Sequence, residues 1–164
     1  MDQFKERLFI NGWDRSKAVW TVPQAFGNET SRYPTGKEFV VQSILGINHG
    51  GLGVISWNDP TTSDIKSSAS LLALSLPKMT PFILNPTTTF RQVVLHKVDV
   101  GMWTVGSQTL VLAGSTNNDP ATIPWVDLGL SPRGTTQVLN SGAVVKADKM
   151  MLERMGSGGF ILLN

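Results

Sequence analysis

The sequence contains no cysteine, and its two histidines, His49 and His96, lie far apart. Without cysteine there is no disulfide framework, thiol nucleophile, iron–sulfur site or cysteine zinc site. Without an H-x-x-x-H pair, a histidine zinc site has no basis either. Charge of one sign is also lacking: 14 Lys+Arg face 12 Asp+Glu, a net +2. The pI of about 9.1 reflects that small excess and not a basic patch. Scattered base of this size gives no field for nucleic acid. No apolar run reaches the roughly 18–20 residues of a membrane span, so no membrane partner is expected. Residues 1–7 are charged and lack the apolar stretch of a signal peptide. No cofactor is expected.

What is present argues for a folded core. Hydrophobic residues make up 41% and charged residues 16%, which is too apolar for a disordered chain. A length of 164 residues fits one domain or two small ones. It falls well short of the roughly 250 residues of a complete (β/α)8 barrel.

The pattern changes near Pro77–Pro81. Asp2–Lys17 reads as a helix weakened by Asn11-Gly12. Ala18–Phe26 reads as a strand. Thr35 to Glu38 matches a capping box, and the apolar face of Val40, Val41, Ile44, Leu45 and Ile47 continues as a helix to His49. Gly51–Trp57 reads as a buried strand. A further helix starts after Asn58-Asp59-Pro60, carries Ile65, Ala69, Leu72 and Leu76, and ends at Pro77. This strand–helix–strand–helix order implies parallel strands joined by right-handed crossovers. Two such strands cannot bury both faces by themselves.

The second half reads as all-β. The expected strands are Phe90–Val98, Gly101–Val105, Thr109–Ala113, Trp125–Leu130, Thr136–Asn140, Ala143–Lys146, Met150–Met155 and Phe160–Leu163. Gly156–Gly159 reads as a hairpin turn, because a phosphate loop would need a strand before it and a helix after it. The expected fold class is α+β: a partial (β/α) barrel segment with parallel strands over 1–79, followed by an antiparallel β-sandwich over 80–164.

Several features together resemble the C-terminal part of a fungal TIM-barrel protein of the glycoside hydrolase type. They are a strand ending Gln24-Ala25-Phe26-Gly27, a Tyr33-Pro34-Thr35 helix start with Glu38, an Asn48-His49-Gly50-Gly51 turn, and a strand ending at Trp57. The later DVGMWTVGSQTLVLA and GSGGFILL runs look like the small sandwich that trails such barrels. The resemblance implies that Val19–Phe26 and Gly53–Trp57 are the seventh and eighth barrel strands, and that the parent protein is secreted. Retaining glycosidases of this type use an acid from the fourth strand and a nucleophile from the seventh. The fourth strand is not in this chain, and the seventh ends in Gln24, whose carboxamide cannot replace a nucleophilic carboxylate.

Function in a parallel α/β sheet gathers at the C-terminal strand ends. Trp57 there is a candidate sugar-stacking floor, or packs under the rim. Gln24 bonds a sugar hydroxyl or satisfies backbone groups. Asn58 and Arg32 complete the candidate substrate-binding set, and Tyr33 lies in the same loop region as Arg32. Glu29 and Asp59 are the candidate catalytic carboxylates; Asp59 reads equally as a helix N-terminal charge. Asn28-Glu29-Thr30 is a glycosylation sequon, meaningful in a secreted protein. His49 suits a helix C-terminus, and neither histidine belongs to a triad. Trp103 and Trp125 are either a sugar-stacking surface or core.

The sequence therefore reads as the C-terminal portion of a glycoside-hydrolase-like protein acting on or binding carbohydrate, not competent as an enzyme alone. The alternative is a non-enzymatic, lectin-like or interaction protein. Open sheet edges imply self-association into a homo-oligomer.

Overall fold

A computed structural model describes residues 1–27, 32–59 and 61–164. The elements follow in the order α1 (Asp2–Ile10), β1 (Trp20–Thr21), α2 (Gly36–Asn48), β2 (Gly53–Val54), α3 (Ser63–Ile83), β3 (Thr89–Leu95), β4 (Val98–Val105), β5 (Gln108–Ser115), β6 (Ala121–Pro124), a 3-10 turn (Trp125–Leu128), β7 (Gly134–Lys146) and β8 (Lys149–Leu163). The fold is thus mixed, with a short parallel pair followed by an antiparallel sheet.

The parallel pair is less regular than the sequence predicts. Regular pairing covers Trp20 opposite Gly53 and Thr21 opposite Val54, with an isolated parallel bridge from Gln24 to Trp57. Hydrogen bonds nevertheless run along the predicted strands: Leu52 N to Val19 O, Ile55 N to Thr21 O and Trp57 N to Pro23 O. Pro23 has no N–H to return, so the ladder is interrupted there. Helix α2 lies directly against β1. A Cβ on Gly46 would stand 2.5 Å from the Thr21 Cβ, so glycine permits this approach.

The α2 start is as predicted: Thr35 Oγ1 accepts from Glu38 N, and the Glu38 carboxylate accepts from Thr35 N. The α3 end is not. Pro77 was expected to stop the helix, yet α3 runs 21 residues to Ile83 with Pro77 and Pro81 inside it. Its continuation buries Met79 and Phe82, and that burial outweighs the backbone bonds the prolines remove. The start of α3 is capped by Thr62, and the Asp64 carboxylate accepts from Gly36 N at 2.6 Å, fixing the two helix starts together. Pro60 lies outside the described residues.

The second half is a single curled sheet of six strands, in the order β3-β4-β5-β8-β6 with β7 also paired to β8. It replaces the expected pair of facing sheets. The reason lies in β8: residues 157–163 pair with β5, residues 149–152 pair with β6, and β7 follows β8 through both stretches. One long bent strand does the work of the two that were expected. Gly156–Gly159 is therefore strand and not a hairpin turn; Gly158 stands opposite Ala113 on one side and Asn140 on the other. The Ala143–Lys146 and Thr136–Asn140 segments likewise merge into β7 across irregular register.

Trp125–Leu130 is also corrected. Val126, Leu128 and Leu130 alternate as a strand would, but Trp125 and Leu128 are the buried pair, and that spacing belongs to a 3-10 turn closed by Gly129 at φ 69°. The adjoining strand is β6, which sequence reading missed.

Both faces of the sheet are covered. Inside the curl lie Val100, Met102, Val111, Ile123, Trp125, Leu152 and Phe160. On the other face Trp103, Leu110, Leu112 and Leu139 pack with Phe39, Val40, Ile44, Leu72 and Met79 of α2 and α3. Alternation along β5 sends Leu110 and Leu112 to the helices and Val111 and Ala113 into the curl. Helix α3 spans the point near residue 79 where the sequence pattern changes. Among the described residues, no helix is long and apolar enough to cross a membrane.

Candidate functional site

Three of the predicted site residues, Gln24, Trp57 and Asn58, lie at the C-terminal end of the parallel pair. Gln24 and Trp57 are bridge partners, and Ala25 N donates to Trp57 O at 3.2 Å. Trp57 is 60% exposed, so its indole is not packed beneath a rim in this chain. Asn58 follows at φ 78°, a left-handed conformation that asparagine tolerates better than most residues. It turns the chain away from the strand. The Gln24 carboxamide donates to Phe26 O at 2.8 Å, while Gln24 N donates to Gln42 Oε1 at 3.4 Å. One of its amide hydrogens thus satisfies the strand end.

Asp59 is exposed and its nearest cation is Lys66, at 3.7 Å. This is the arrangement of a helix N-terminal charge paired along the surface. Glu29 and the sequon residue Asn28 lie outside the described residues.

Arg32 does not reach toward Trp57 as a free ligand group. Its guanidinium holds Glu38 through two bonds, at 2.5 and 2.8 Å, and donates to Tyr33 O at 2.9 Å. Those bonds, together with Thr35 N and Oγ1, outweigh partial burial and hold the Glu38 carboxyl down at about 2. Glu38 raises the Arg32 guanidinium in return. Tyr33 remains partly exposed beside this clamp.

Trp103 and Trp125 form no stacking surface. They are 5% and 2% exposed; Trp103 stacks against Phe90 with ring centroids 4.8 Å apart, and Trp125 meets Phe160 edge-on at 5.9 Å. Trp125 Nε1 is buried without a partner.

A second polar cluster, at the α2 C-terminus, has no signal in the sequence. Asp99 of β4 is 4% exposed. It accepts from Asn48 Nδ2 at 2.6 Å, meets His49 Nε2 at 3.0 Å, and accepts from Gln92 Nε2. The other ring nitrogen of His49 lies 2.9 Å from the Asp2 carboxylate. The adjacency of Asn48 and His49 at a helix end was visible; their partner on β4, about fifty residues on, was not. The two carboxylates engage opposite ring nitrogens, so the trio cannot converge on one ion. Among the described residues, no group of three or more His, Asp or Glu side chains could hold a metal.

No protein-family model matches the sequence, and neither does any curated protein. Solved structures do match. An α-amylase from Geobacillus thermoleovorans, complexed with acarbose, aligns over 97% of this chain and 42% of its own, with TM-score 0.65 and 10% identity. An Anoxybacillus α-amylase aligns over 98% of this chain and 41% of its own, at TM-score 0.53 and 12% identity. A GH30 endoxylanase from Clostridium papyrosolvens aligns over 94% and 44%, at TM-score 0.51 and 13% identity. The chain spans less than half the length of these three enzymes. At such identities the likeness is one of fold, shared with parts of these α-amylases and this endoxylanase.

Proposed function

We propose that this chain is the C-terminal portion of a glycoside-hydrolase-like protein that binds or acts on carbohydrate, and that it is not catalytically competent by itself. The observation that carries the reading is Trp57, exposed at the C-terminal end of a parallel strand and bridged to Gln24. A flat aromatic face suits the C–H face of a sugar ring, and a carboxamide beside it can bond a hydroxyl. Asn58 adds a second carboxamide at the same end. Arg32 takes part through the Glu38 clamp, which also holds the Tyr33 carbonyl. The acarbose complex of the Geobacillus amylase agrees with a carbohydrate partner.

The proposed lack of turnover is argued from chemistry. Retaining hydrolysis needs two carboxylates about 5–5.5 Å apart, and inverting hydrolysis needs about 6.5–9.5 Å. Gln24 supplies none, and Asp59 is turned to Lys66. Glu29 remains the other candidate. Purified protein assayed on aryl glycosides and polysaccharides should show no turnover. Robust turnover lost on Glu29→Gln or Asp59→Asn would overturn this. Glycan-array binding abolished by Trp57→Ala supports the carbohydrate reading, and no binding to any glycan refutes it for this chain. A secreted, fungal parent and glycosylation at Asn28 belong to the same proposal. Self-association is assigned to the open edges of β1 and β2, and a clean monomer across concentrations in sedimentation would contradict it.

A further inference from the structure

Helix α1 buries none of its residues. Apolar packing therefore does not account for its place, and its polar attachment to the α2 C-terminus does. Asp2, in its first turn, meets His49 Nδ1 at 2.9 Å, and Lys5 lies across Gly50. Along the helix, Leu8 and Phe9 line one side of a solvent-open cavity of about 410 Å³ whose other walls include Val19 and Leu52. We propose that His49 is a pH-gated pin: charged, it bridges Asp2 to Asp99 and holds α1 along this cavity; neutral, it lets α1 go.

The argument rests on which proton the ring gives up. The groups facing His49 are Asp2 on α1, Asp99 on β4, Gln92 on β3 and Asn48 beside it, with Lys5 near Asp2. A doubly protonated ring donates to both carboxylates. A neutral ring has one N–H to place. If Nε2 lost its proton, a bare lone pair would face the Asp99 carboxylate 3.0 Å away, in a site that water scarcely reaches. Asp2 is largely exposed, so water can replace Nδ1–H there. The remaining proton therefore stays on Nε2, and Nδ1 turns a lone pair toward Asp2. Gln92 Nε2, 3.2 Å from His49 Nε2, offers a competing arrangement in which Nδ1 keeps its proton; it would leave Asp99 facing the bare nitrogen.

The sign follows directly. Burial opposes the charge on His49, but the bonds to Asp2 and Asp99 and their charges outweigh it, so its pKa stands above 6.5. The pin is complete below 6.5 and fails as pH rises through the folded value. Asp2 lies below its ordinary 3.8, chiefly through the His49 bond, so the pin also fails in strong acid. Protonation favours the closed helix about tenfold for each unit of the His49 pKa that Asp2 contributes.

Hydrogen exchange of the full chain, read on the α1 amides and on β4 and β5, tests this between pH 5 and pH 9, with ring tautomer read from histidine nitrogen shifts. The wild type should lose α1 protection across the His49 titration while β4 and β5 stay protected. Neutral His49 should carry its proton on Nε2. Asp2→Asn should lower the His49 pKa and leave α1 unprotected at every pH, with β4 and β5 unchanged. Protection of α1 that ignores pH overturns the proposal. So does a neutral ring protonated on Nδ1, or an Asp2→Asn variant that keeps the wild-type profile.

Discussion

Asn48 Nδ2 donates to Asp99 Oδ1 at 2.6 Å and also lies 3.2 Å from Leu112 O, tying the last turn of α2 to two neighbouring strands. The pair is buried, so water cannot substitute for either partner. Hydrogen bonds to a charged group contribute about 1.5–3 kcal/mol, and an orphaned buried acceptor costs a similar amount. Asn48→Ala is expected to lower stability by about 2–4 kcal/mol in urea unfolding, while Asn48→Asp, which sets a second carboxylate against Asp99, should be worse. A loss under about 0.5 kcal/mol for Asn48→Ala would show that the bond does not hold the helix to the sheet.

The Glu38 carboxyl is expected to titrate near 2 in place of 4.5. Its folded value is depressed, so the stability it contributes is present above 4.5 and is lost as pH falls through about 2. Carbon-detected titration of the Glu38 side chain measures this directly. Arg32→Ala should move the titration upward, because the guanidinium is the largest cause. An unchanged midpoint in that variant would mean that the capping box alone sets it.

Three tryptophans separate core from surface in one measurement. Trp125→Ala empties a packed site beside Phe160 and should cost about 3–5 kcal/mol. Trp57→Ala removes an exposed ring and should change stability by less than about 0.5 kcal/mol. Trp103→Ala should resemble Trp125→Ala. If Trp57→Ala destabilised as strongly as Trp125→Ala, the indole would be structural and the carbohydrate reading would lose its support.

Much of the first half was legible because its signals are local. The Thr35–Glu38 capping box, the apolar face of α2 and the Gln24 and Trp57 strand ends each depend on residues within one element. What failed was decided by partners distant in sequence. Pro77 reads as a stop until Met79 and Phe82 find the sheet. Val126, Leu128 and Leu130 alternate by coincidence, since Trp125 and Leu128 fill the curl. Asp99 looks like any strand carboxylate until Asn48, His49 and Gln92 surround it. The Arg32–Glu38 clamp was within reach: opposite charges six residues apart flank a helix start, but Arg32 suggested a ligand group instead.

The prolines of α3 give a stability test. Pro77 is exposed, and it deprives the Ala73 carbonyl of the helix bond it would otherwise accept. A helix-interior proline costs about 3 kcal/mol relative to alanine, offset by about 0.4–1 kcal/mol through its stiffer unfolded chain. Relaxation of the helix around the ring removes part of the remainder. Pro77→Ala should raise stability by about 1–2 kcal/mol in thermal or urea unfolding. A neutral or destabilising result would show that Pro77 itself helps to seat Met79 and Phe82.

The glycines of β8 test the corrected strand. A Cβ on Gly158 would stand 2.8 Å from the Ala143 Cβ and 2.9 Å from the Phe160 ring. One on Gly159 would stand 3.0 Å from a Leu112 methyl and 3.1 Å from the Met79 thioether methyl. Gly158 presses against groups that cannot withdraw, because Ala143 and Phe160 are fully packed in the curl. Gly159 faces the methyl ends of Leu112 and the flexible Met79, and a methyl of Val138 at 3.1 Å, all looser than the two closest contacts at Gly158. Gly158→Ala should therefore cost about 1–3 kcal/mol as an overpacked core, and Gly159→Ala distinctly less. A hairpin turn at these positions would show neither effect, since its glycines would face solvent. Two near-neutral alanine variants would thus return the segment to the turn that the sequence suggested, and unequal losses in the stated order establish the continuous, bent β8.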